Sequence, residues 1–170
     1  MTPEAITSAT AVAGAVPLWR IASDTPQWLA EDLSGKGAAC SGARWNHPGE
    51  HVVYASTSIS LAAWETRAHL GQGLALPWNR YLVRLDIPAA LWAASHLLAE
   101  PWPVGWDALP EGQVSRQAGS AWLQAGRSAL LRVPSVIVPE EMNVLINPQH
   151  PSSRGLRAVK LRRFVYDHRV

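Results

Sequence analysis

Short segments rich in β-branched and aliphatic residues recur along this chain, and amphipathic helical patterns stand between them. In the segment 80–86, Arg-Tyr-Leu-Val-Arg-Leu-Asp, polar and apolar residues alternate as in a strand with one buried face. Interspersed strands and helices of this kind predict an α+β domain with a mixed β-sheet core and flanking helices. The predicted strands are 16–22, 51–56, 80–86, 129–138, 144–147 and 158–166.

The helical patterns fall mainly in two segments. The segment 60–70 carries an apolar stripe at helical spacing. Ser58 or Ser60 is predicted to cap its N-terminus, and Gly71 is predicted to end it. The segment 114–126 is the second predicted helix. The glycine-rich segment 34–49 predicts a long loop without regular structure.

Length and composition indicate a single globular domain. The chain has 170 residues, of which 48% are hydrophobic and 16% charged, a balance unlike that of disordered proteins. Cys40 is the only cysteine, which excludes an internal disulfide and indicates a reducing, cytoplasmic location. No apolar run approaches the roughly 20 residues that span a membrane. We expect residues 1–17 to form a loose N-terminal leader and residues 18–170 to form the domain.

Positive charge is concentrated at the C-terminus. Residues 154–170 contain six arginine or lysine residues and one acid, Asp167, whereas the rest of the chain is net negative. A basic segment can bind nucleic acid. Here apolar residues alternate with the bases, as in an edge strand whose long cationic side chains oppose aggregation, so we favour a solvated strand and expect no direct nucleic-acid binding.

The loop 42–49, Gly-Ala-Arg-Trp-Asn-His-Pro-Gly, leads into a predicted strand and carries one arginine. The guanidinium of Arg44 presents a planar fork of donors that matches a phosphate or a carboxylate, and the glycines allow a ligand to approach the backbone closely. A solvated surface arginine explains the same pattern.

Three further residues could carry chemistry near this loop. Tyr54 lies on the following strand and Glu65 on the following helix, so a cation, a ring and a carboxylate could converge. Ser135 is a lone hydroxyl in an apolar strand, where it needs a partner or a ligand. Each residue also has a structural interpretation. Tyr54 could be a half-buried strand residue, Glu65 could pair with His69 on the helix surface, and Ser135 could be a satisfied core serine.

Several common catalytic motifs are absent from the sequence. It contains no G-x-S-x-G, no P-loop, no G-x-G-x-x-G and no H-E-x-x-H. His47 and His51 have the spacing of a helical metal pair, but Pro48 and Gly49 stand between them. We therefore predict no metal site.

Six short motifs, taken in order, resemble the RES domain, a family named for its arginine, glutamate and serine. They are Leu18-Trp-Arg-Ile21, Gly42-Ala-Arg-Trp-Asn46, Val53-Tyr-Ala-Ser56, Leu61-Ala-Ala-Trp-Glu65, Val133-Pro-Ser135 and Asn147-Pro-Gln-His-Pro151. The resemblance runs from about Leu18 to the C-terminus. It implies that the catalytic residues are Arg44, Glu65 and Ser135, and that the substrate-binding residues are Arg20, Tyr54 and Asn147. From the residues alone, Asn147 could equally belong to a turn. Trp64 departs from the pattern, in which we expect a smaller aliphatic residue.

RES proteins are toxins of bacterial toxin–antitoxin pairs that deplete NAD+, and their fold is similar to that of ADP-ribosyltransferases. The resemblance implies an NAD+ glycohydrolase or NAD+ phosphorylase that takes NAD+ as substrate and uses no cofactor. It also implies an Xre-type antitoxin as partner in a hetero-oligomer, with DNA contacted only through the antitoxin.

The chemistry of such a reaction suits these residues. Breaking the nicotinamide–ribose bond leaves positive charge on an oxocarbenium-like ribose, which a fixed carboxylate stabilises. Glu65 would hold a ribose hydroxyl, and Tyr54 would stack on nicotinamide. Arg44, with Arg20, would hold the pyrophosphate. The role of Ser135 stays open between orienting Glu65, holding a ribose hydroxyl and placing the attacking water or phosphate.

Two other functions fit the same residues. A non-catalytic module would bind a nucleotide or a partner protein, and NAD+ would then stabilise the fold without being consumed. An ADP-ribosyltransferase would instead transfer ADP-ribose to a macromolecule. Label from NAD+ would then appear on protein or nucleic acid and not as free ADP-ribose.

Overall fold

A computed structural model of the chain describes residues 12–70, 77–167 and 169. One sheet of seven strands runs through this part of the chain in the order β4-β5-β6-β2-β1-β3-β7. The strands are β1 (Val16–Ala22), β2 (Val53–Ser56), β3 (Tyr81–Ile87), β4 (His96–Leu97), β5 (Leu130–Pro134), β6 (Met142–Ile146) and β7 (Ala158–Arg163). The helices are α1 (Lys36–Ser41), α2 (Ile59–His69), α3 (Ala89–Ala93) and α4 (Gln113–Ala125), with a 3-10 turn at Pro151–Ser153.

The sheet is mixed, because β4 and β5 are parallel whereas the other neighbouring strands are antiparallel. Helices flank it. The α+β class with a mixed sheet and flanking helices is therefore confirmed. The predicted strands all form, and the largest difference is that β5 ends at Pro134, where a residue without a backbone N–H cannot continue the ladder.

The junction between β1 and β2 divides the sheet into two halves. β1 pairs with β3 along its whole length, from Val16 with Ile87 to Ala22 with Tyr81. β1 meets β2 at a single pair, Trp19 with Ser56. The half formed by β4, β5, β6 and β2 is thus joined at one position to the half formed by β1, β3 and β7.

Alternating side chains place apolar residues on both faces of the sheet. On β5, Leu130 packs in one cluster with Leu18 and Val83, whereas the next residue, Leu131, packs in another around Trp45. This is the period-2 pattern of a strand that is covered on both sides. All five residues are buried.

Helix α2 begins where its sequence predicts. The Ser58 hydroxyl accepts a hydrogen bond from the Leu61 N–H at 3.0 Å, so Ser58 is the N-cap. The helix ends at His69, and the predicted stop at Gly71 lies outside the described residues.

The expectation of an irregular loop over 34–49 was wrong in one respect, because α1 forms within it. This helix has six residues, none of them buried, and no side-chain cap, so no apolar periodicity marks it. It starts after Gly35, whose φ of 73° favours glycine, and a Cβ there would lie 2.6 Å from the backbone nitrogen of Val52.

The basic C-terminal segment forms the edge strand β7, as predicted. The Lys160 ammonium contacts the Asp24 carboxylate at 2.9 Å and the Glu31 carboxylate at 3.1 Å. The hydrogen bond from Lys160 and one from the Ala30 N–H hold the pKa of Asp24 below its usual value.

The N-terminal leader expected over residues 1–17 lies largely outside the described residues, and its last two residues already belong to β1. No helix in the described ranges is both long and apolar enough to cross a membrane. Within the same ranges, no three His, Cys, Asp or Glu side chains are grouped so that they could hold a metal ion.

Candidate active site

A cleft of about 760 Å3 lies where the two halves of the sheet meet. Residues from β1, β2, α2 and the loop after α1 line it together. Four of the six residues singled out from the sequence line this cleft: Arg20, Arg44, Tyr54 and Glu65. A cation, a ring and a carboxylate therefore do converge, as the sequence predicted.

The carboxylate of Glu65 is held at one oxygen. Its Oε1 accepts a hydrogen bond from the Ser135 hydroxyl at 2.7 Å and a second, short one from the side-chain amide of Asn143. Its Oε2 has no hydrogen-bond partner among the described residues. The two hydrogen bonds thus orient the Glu65 carboxylate and leave its Oε2 for a ligand in the cleft. The surface pair expected as the alternative does not form, because His69 contacts the backbone carbonyl of Glu65 and not its carboxylate.

Ser135 lies behind Glu65 and not in the cleft wall. It is fully buried, and its oxygen accepts hydrogen bonds from the backbone N–H groups of Ile137 and Val138 at 3.0 and 3.1 Å. Because its proton goes to Glu65, every hydrogen-bonding role of the hydroxyl is taken. Of the three roles considered for Ser135, this pattern supports the orientation of Glu65.

Sequence reasoning missed Asn143, which does line the cleft. It lies on β6 opposite Ser56 of β2, and the Ser56 hydroxyl donates to its side-chain carbonyl at 2.7 Å. That bond fixes which way the amide faces, so its N–H group points to Glu65. The available signal was a polar residue directly before the apolar run 144–146, but a turn residue at a strand end gives the same pattern.

Tyr54 and Asn46 hold the loop that carries Arg44. The Tyr54 hydroxyl donates to the Asn46 side-chain carbonyl at 2.8 Å and accepts from the Trp45 N–H at 3.2 Å. Asn46 is fully buried, and its amide donates to three backbone carbonyls, among them that of Glu50. Burial raises the pKa of Tyr54, which keeps its hydroxyl protonated for this contact. Tyr54 is also one of the residues that line the cleft.

Arg44 connects the cleft to a distant loop. Its Nη1 donates to the carbonyl oxygens of Trp106 and Ala108 at 3.1 and 3.0 Å. The same loop contributes Leu109 and Glu111 to the cleft wall. Arg44 is therefore already engaged with the protein through one of its nitrogens, in addition to any contact with a ligand.

Helix α4 packs against the loop that carries Arg44, and Gly119 is the point of close contact. A Cβ on Gly119 would lie 1.8 Å from the carbonyl oxygen of Trp45, so only glycine permits this approach. Next to it, the Arg116 side chain donates to the Ala43 carbonyl at 3.1 Å and pairs with Glu111 at 3.3 Å. The helix thus braces the loop on both sides of Arg44.

Arg20 reaches the cleft from β1. Its Nη1 donates to the backbone carbonyl of Asp32 at 3.0 Å. Burial lowers the pKa of its guanidinium, and the nearby Asp32 carboxylate partly offsets this.

The structure does not bring Asn147 to the cleft. Its side-chain carbonyl accepts from the Gln149 N–H at 3.0 Å, and its backbone carbonyl accepts from the Ser153 hydroxyl at 2.7 Å. Asn147 thus organises the turn after β6, and the substrate-binding role expected for it stays a prediction. Trp64, expected to alter the shape of the pocket, is 46% exposed and does not line the cleft.

Comparison with known proteins agrees with this geometry. The family model for the RES domain matches residues 17–167. A protein from Sphingobium sp. (strain YBL2), named Prs ADP-ribosylating toxin, is 52% identical over 154 residues, which cover 89% of this chain and 94% of that protein. A protein from Yersinia enterocolitica, named Toxin Res, is 34% identical over 147 residues, covering 85% of this chain and 93% of that protein.

The fold also matches a solved structure, that of the M. tuberculosis MbcT–MbcA toxin–antitoxin complex. The TM-score is 0.58 at 16% identity, and the match covers 86% of this chain and 84% of the solved chain. The match to the family model spans all of the sheet except Val16, the first residue of β1, and every residue that lines the cleft. The chain belongs to the RES domain family.

Proposed function

We propose that this protein is the toxin of a toxin–antitoxin pair and that it cleaves the nicotinamide–ribose bond of NAD+. The observation that carries the proposal is the Glu65 carboxylate, held at Oε1 by two donors and open at Oε2, in one cleft with three arginines. The relatives named as toxins support the same conclusion.

The bond to nicotinamide breaks with its electron pair going to the ring nitrogen, so nicotinamide leaves as a neutral molecule. The positive charge of the pyridinium passes to the ribose, which becomes oxocarbenium-like. Glu65 stabilises that charge and accepts a hydrogen bond from a ribose hydroxyl at Oε2. Because the leaving group already carries the positive charge in NAD+, no general acid is needed.

The remaining residues hold the substrate. Tyr54 forms a flat wall for the nicotinamide ring, while its hydroxyl keeps the Arg44 loop in place. The substrate's pyrophosphate lies towards Arg20 and Arg44. Ser135 and Asn143 act through Glu65 and touch no substrate. NAD+ is the substrate in this scheme, and no other cofactor takes part.

The acceptor is water or phosphate. Water adds to the ribose carbon and loses a proton, giving ADP-ribose, whereas phosphate gives the 1-phosphate of ADP-ribose. Purified protein should convert NAD+ to nicotinamide and one of these products, which mass spectrometry with and without phosphate distinguishes. Intact NAD+ after prolonged incubation with antitoxin-free protein contradicts the proposal.

Transfer of ADP-ribose to a protein is a second candidate, because the relative with 52% identity is named an ADP-ribosylating toxin. The cleavage step and its residues are the same, and only the acceptor differs. NAD+ labelled in its adenine ring should then leave the label on a protein in a cell extract. Label recovered only as free ADP-ribose or its phosphate rejects this candidate.

We also propose an Xre-type antitoxin as the partner of this chain. A solved chain of similar fold comes from a toxin–antitoxin complex, which supports the pairing. Co-expression of the neighbouring gene should restore growth to cells that produce this protein, and the two chains should purify together as a hetero-oligomer.

A further inference from the structure

The last residue of helix α2, His69, also lines the cleft, and the cleavage of the bond to nicotinamide does not use it. It lies four residues after Glu65, so the two side chains are neighbours on one face of the helix, with about 5–6 Å between their Cβ atoms. Glu65 is partly buried, whereas His69 is exposed. His69 therefore lies beside the carboxylate at a point of the cleft that solvent reaches.

A hydrogen bond to the backbone decides which ring nitrogen of His69 carries the proton. Its Nδ1 lies 2.6 Å from the carbonyl oxygen of Glu65. A carbonyl oxygen only accepts hydrogen bonds, so Nδ1 is the donor, and the neutral ring then has its free lone pair on Nε2. Within the described residues, Nε2 forms no hydrogen bond. The neutral imidazole of His69 thus presents a free proton acceptor one helical turn from Glu65.

The Glu111 carboxylate supplies a counter-charge for this histidine. Glu111 lines the cleft from the loop that Arg44 holds. A hydrogen bond from its own backbone N–H holds the pKa of Glu111 below its usual value, and nearby positive charge, that of His69 included, lowers it further. Glu111 is therefore ionised at neutral pH and lies near enough to stabilise a positive charge on His69.

Whether the proposed reaction needs a base depends on the acceptor. The oxygen of water or of an alcohol carries a proton that must leave as this oxygen bonds to the ribose carbon. An anionic acceptor such as azide or phosphate attacks through an atom that carries no proton. Glu65 is not free for this task, because two donors hold its Oε1 and the ribose hydroxyl occupies its Oε2 in the proposed reaction. A neutral acceptor therefore requires a second basic group in the cleft.

We propose that His69 is a further catalytic residue, the general base for a hydroxyl acceptor, which is water in the free enzyme. This inference rests on the proposed function for its reaction. The acceptor oxygen bonds to the ribose carbon, the electron pair of the nicotinamide–ribose bond goes to the ring nitrogen, and the proton of the acceptor goes to Nε2 of His69. The imidazolium keeps its Nδ1 hydrogen bond to the Glu65 carbonyl and later returns the proton to solvent.

Competition between acceptors tests the inference whichever step limits the rate. The protein is incubated with NAD+, azide and methanol in phosphate-free buffer, and mass spectrometry counts ADP-ribose, its azide and its methyl glycoside. His69→Asn keeps a donor in the place of Nδ1 but has no basic nitrogen. It should raise the ratio of azide product to ADP-ribose at least roughly 10-fold, since only water loses its base. The ratio of methyl glycoside to ADP-ribose should not change, because both acceptors need the base.

His96→Asn is the matched control, because His96 is exposed on β4 and does not line the cleft. It should give the product ratios of the wild type. If His69 only supported the end of the helix, His69→Asn would lower all three products together and leave their ratios unchanged. An azide-to-ADP-ribose ratio in His69→Asn equal to that of the wild type therefore overturns the inference.

The wild-type protein separates this inference from the proposed function. No release of nicotinamide with any acceptor rejects the proposed function itself. Release of nicotinamide with azide or phosphate products but no ADP-ribose keeps the cleavage and overturns the role of His69. If His69→Asn fails to fold, diethyl pyrocarbonate treatment of the wild type should shift the azide-to-ADP-ribose ratio in proportion to the modification of His69, mapped by mass spectrometry. An unchanged ratio in fully modified protein also overturns the inference.

Discussion

The Ser135 hydroxyl donates a 2.7 Å hydrogen bond to Glu65 Oε1, although the two residues are 70 positions apart in the chain. This contact joins the end of β5 to helix α2. Because the hydroxyl also accepts from two backbone N–H groups, Ser135 cannot rotate away from Glu65 without breaking three hydrogen bonds. The serine thus fixes the carboxylate and its own turn at the same time.

Replacing Ser135 by alanine should lower both activity and stability. The backbone N–H groups of residues 137 and 138 lose their acceptor, which costs about 1–3 kcal/mol of unfolding free energy. Glu65 loses one of its two donors, so kcat for NAD+ cleavage should fall. Urea unfolding and steady-state kinetics measure the two effects. Ser115→Ala is the control, because Ser115 is equally buried but makes one long hydrogen bond of 3.4 Å outside the cleft. Normal kcat in Ser135→Ala contradicts the role given to this serine.

Asn143→Ala should lower kcat about 10- to 100-fold, since it removes a hydrogen bond to a charged group that orients Glu65. KM for NAD+ should change little, because Asn143 acts on the carboxylate and not on the substrate. Ser56→Ala should have a smaller effect in the same direction, because Ser56 only orients the amide of Asn143. A loss confined to KM indicates direct contact with the substrate and contradicts this account.

Gly119→Ala should prevent the normal packing of α4 on the Arg44 loop. The added Cβ would meet the Trp45 carbonyl oxygen at 1.8 Å, and backbone must shift to relieve the clash. We expect a loss of stability of about 3 kcal/mol or more, seen as a lower urea midpoint or poor expression. Ala121→Ser, at an exposed position of the same helix, should be within about 0.5 kcal/mol of the wild type.

Asp24→Asn should reduce the loss of unfolding free energy that the protein shows as the pH falls towards the acid end. The pKa of Asp24 is lowered in the folded state, so its contribution is present above the unfolded value of about 3.9 and is lost as the pH falls through the lower folded value. Because the pair with Lys160 is partly exposed, the effect should be below about 1 kcal/mol and should weaken with salt. Urea unfolding between pH 2.5 and 7 should show the two proteins converging at the acid end. Parallel profiles contradict the linkage.

Local signals were sufficient for most of the fold. The alternation at 80–86 predicted β3, and the serine before the apolar stripe predicted the start of α2. The two-residue strand β4 was not predicted, because it consists of His96 and Leu97 paired with β5 and has no pattern of its own. Elements that exist only through tertiary pairing leave no periodicity to read.

The candidate site shows the same limit. Arg20, Arg44, Tyr54 and Glu65 could be named in advance because short motifs carry them. The hydrogen bond from Arg44 to the Ala108 carbonyl could not be predicted from sequence. It joins positions 64 residues apart and uses a backbone atom that every residue has. The position of Asn147 outside the cleft could not be predicted either, because an asparagine in a turn and an asparagine in a binding site look alike in sequence.

Because β1 and β2 pair only at Trp19 and Ser56, the cleft has one wall on each half of the sheet. Arg20 belongs to one half, and Tyr54 and Asn143 belong to the other. A molecule that spans the cleft therefore contacts both halves of the sheet at once.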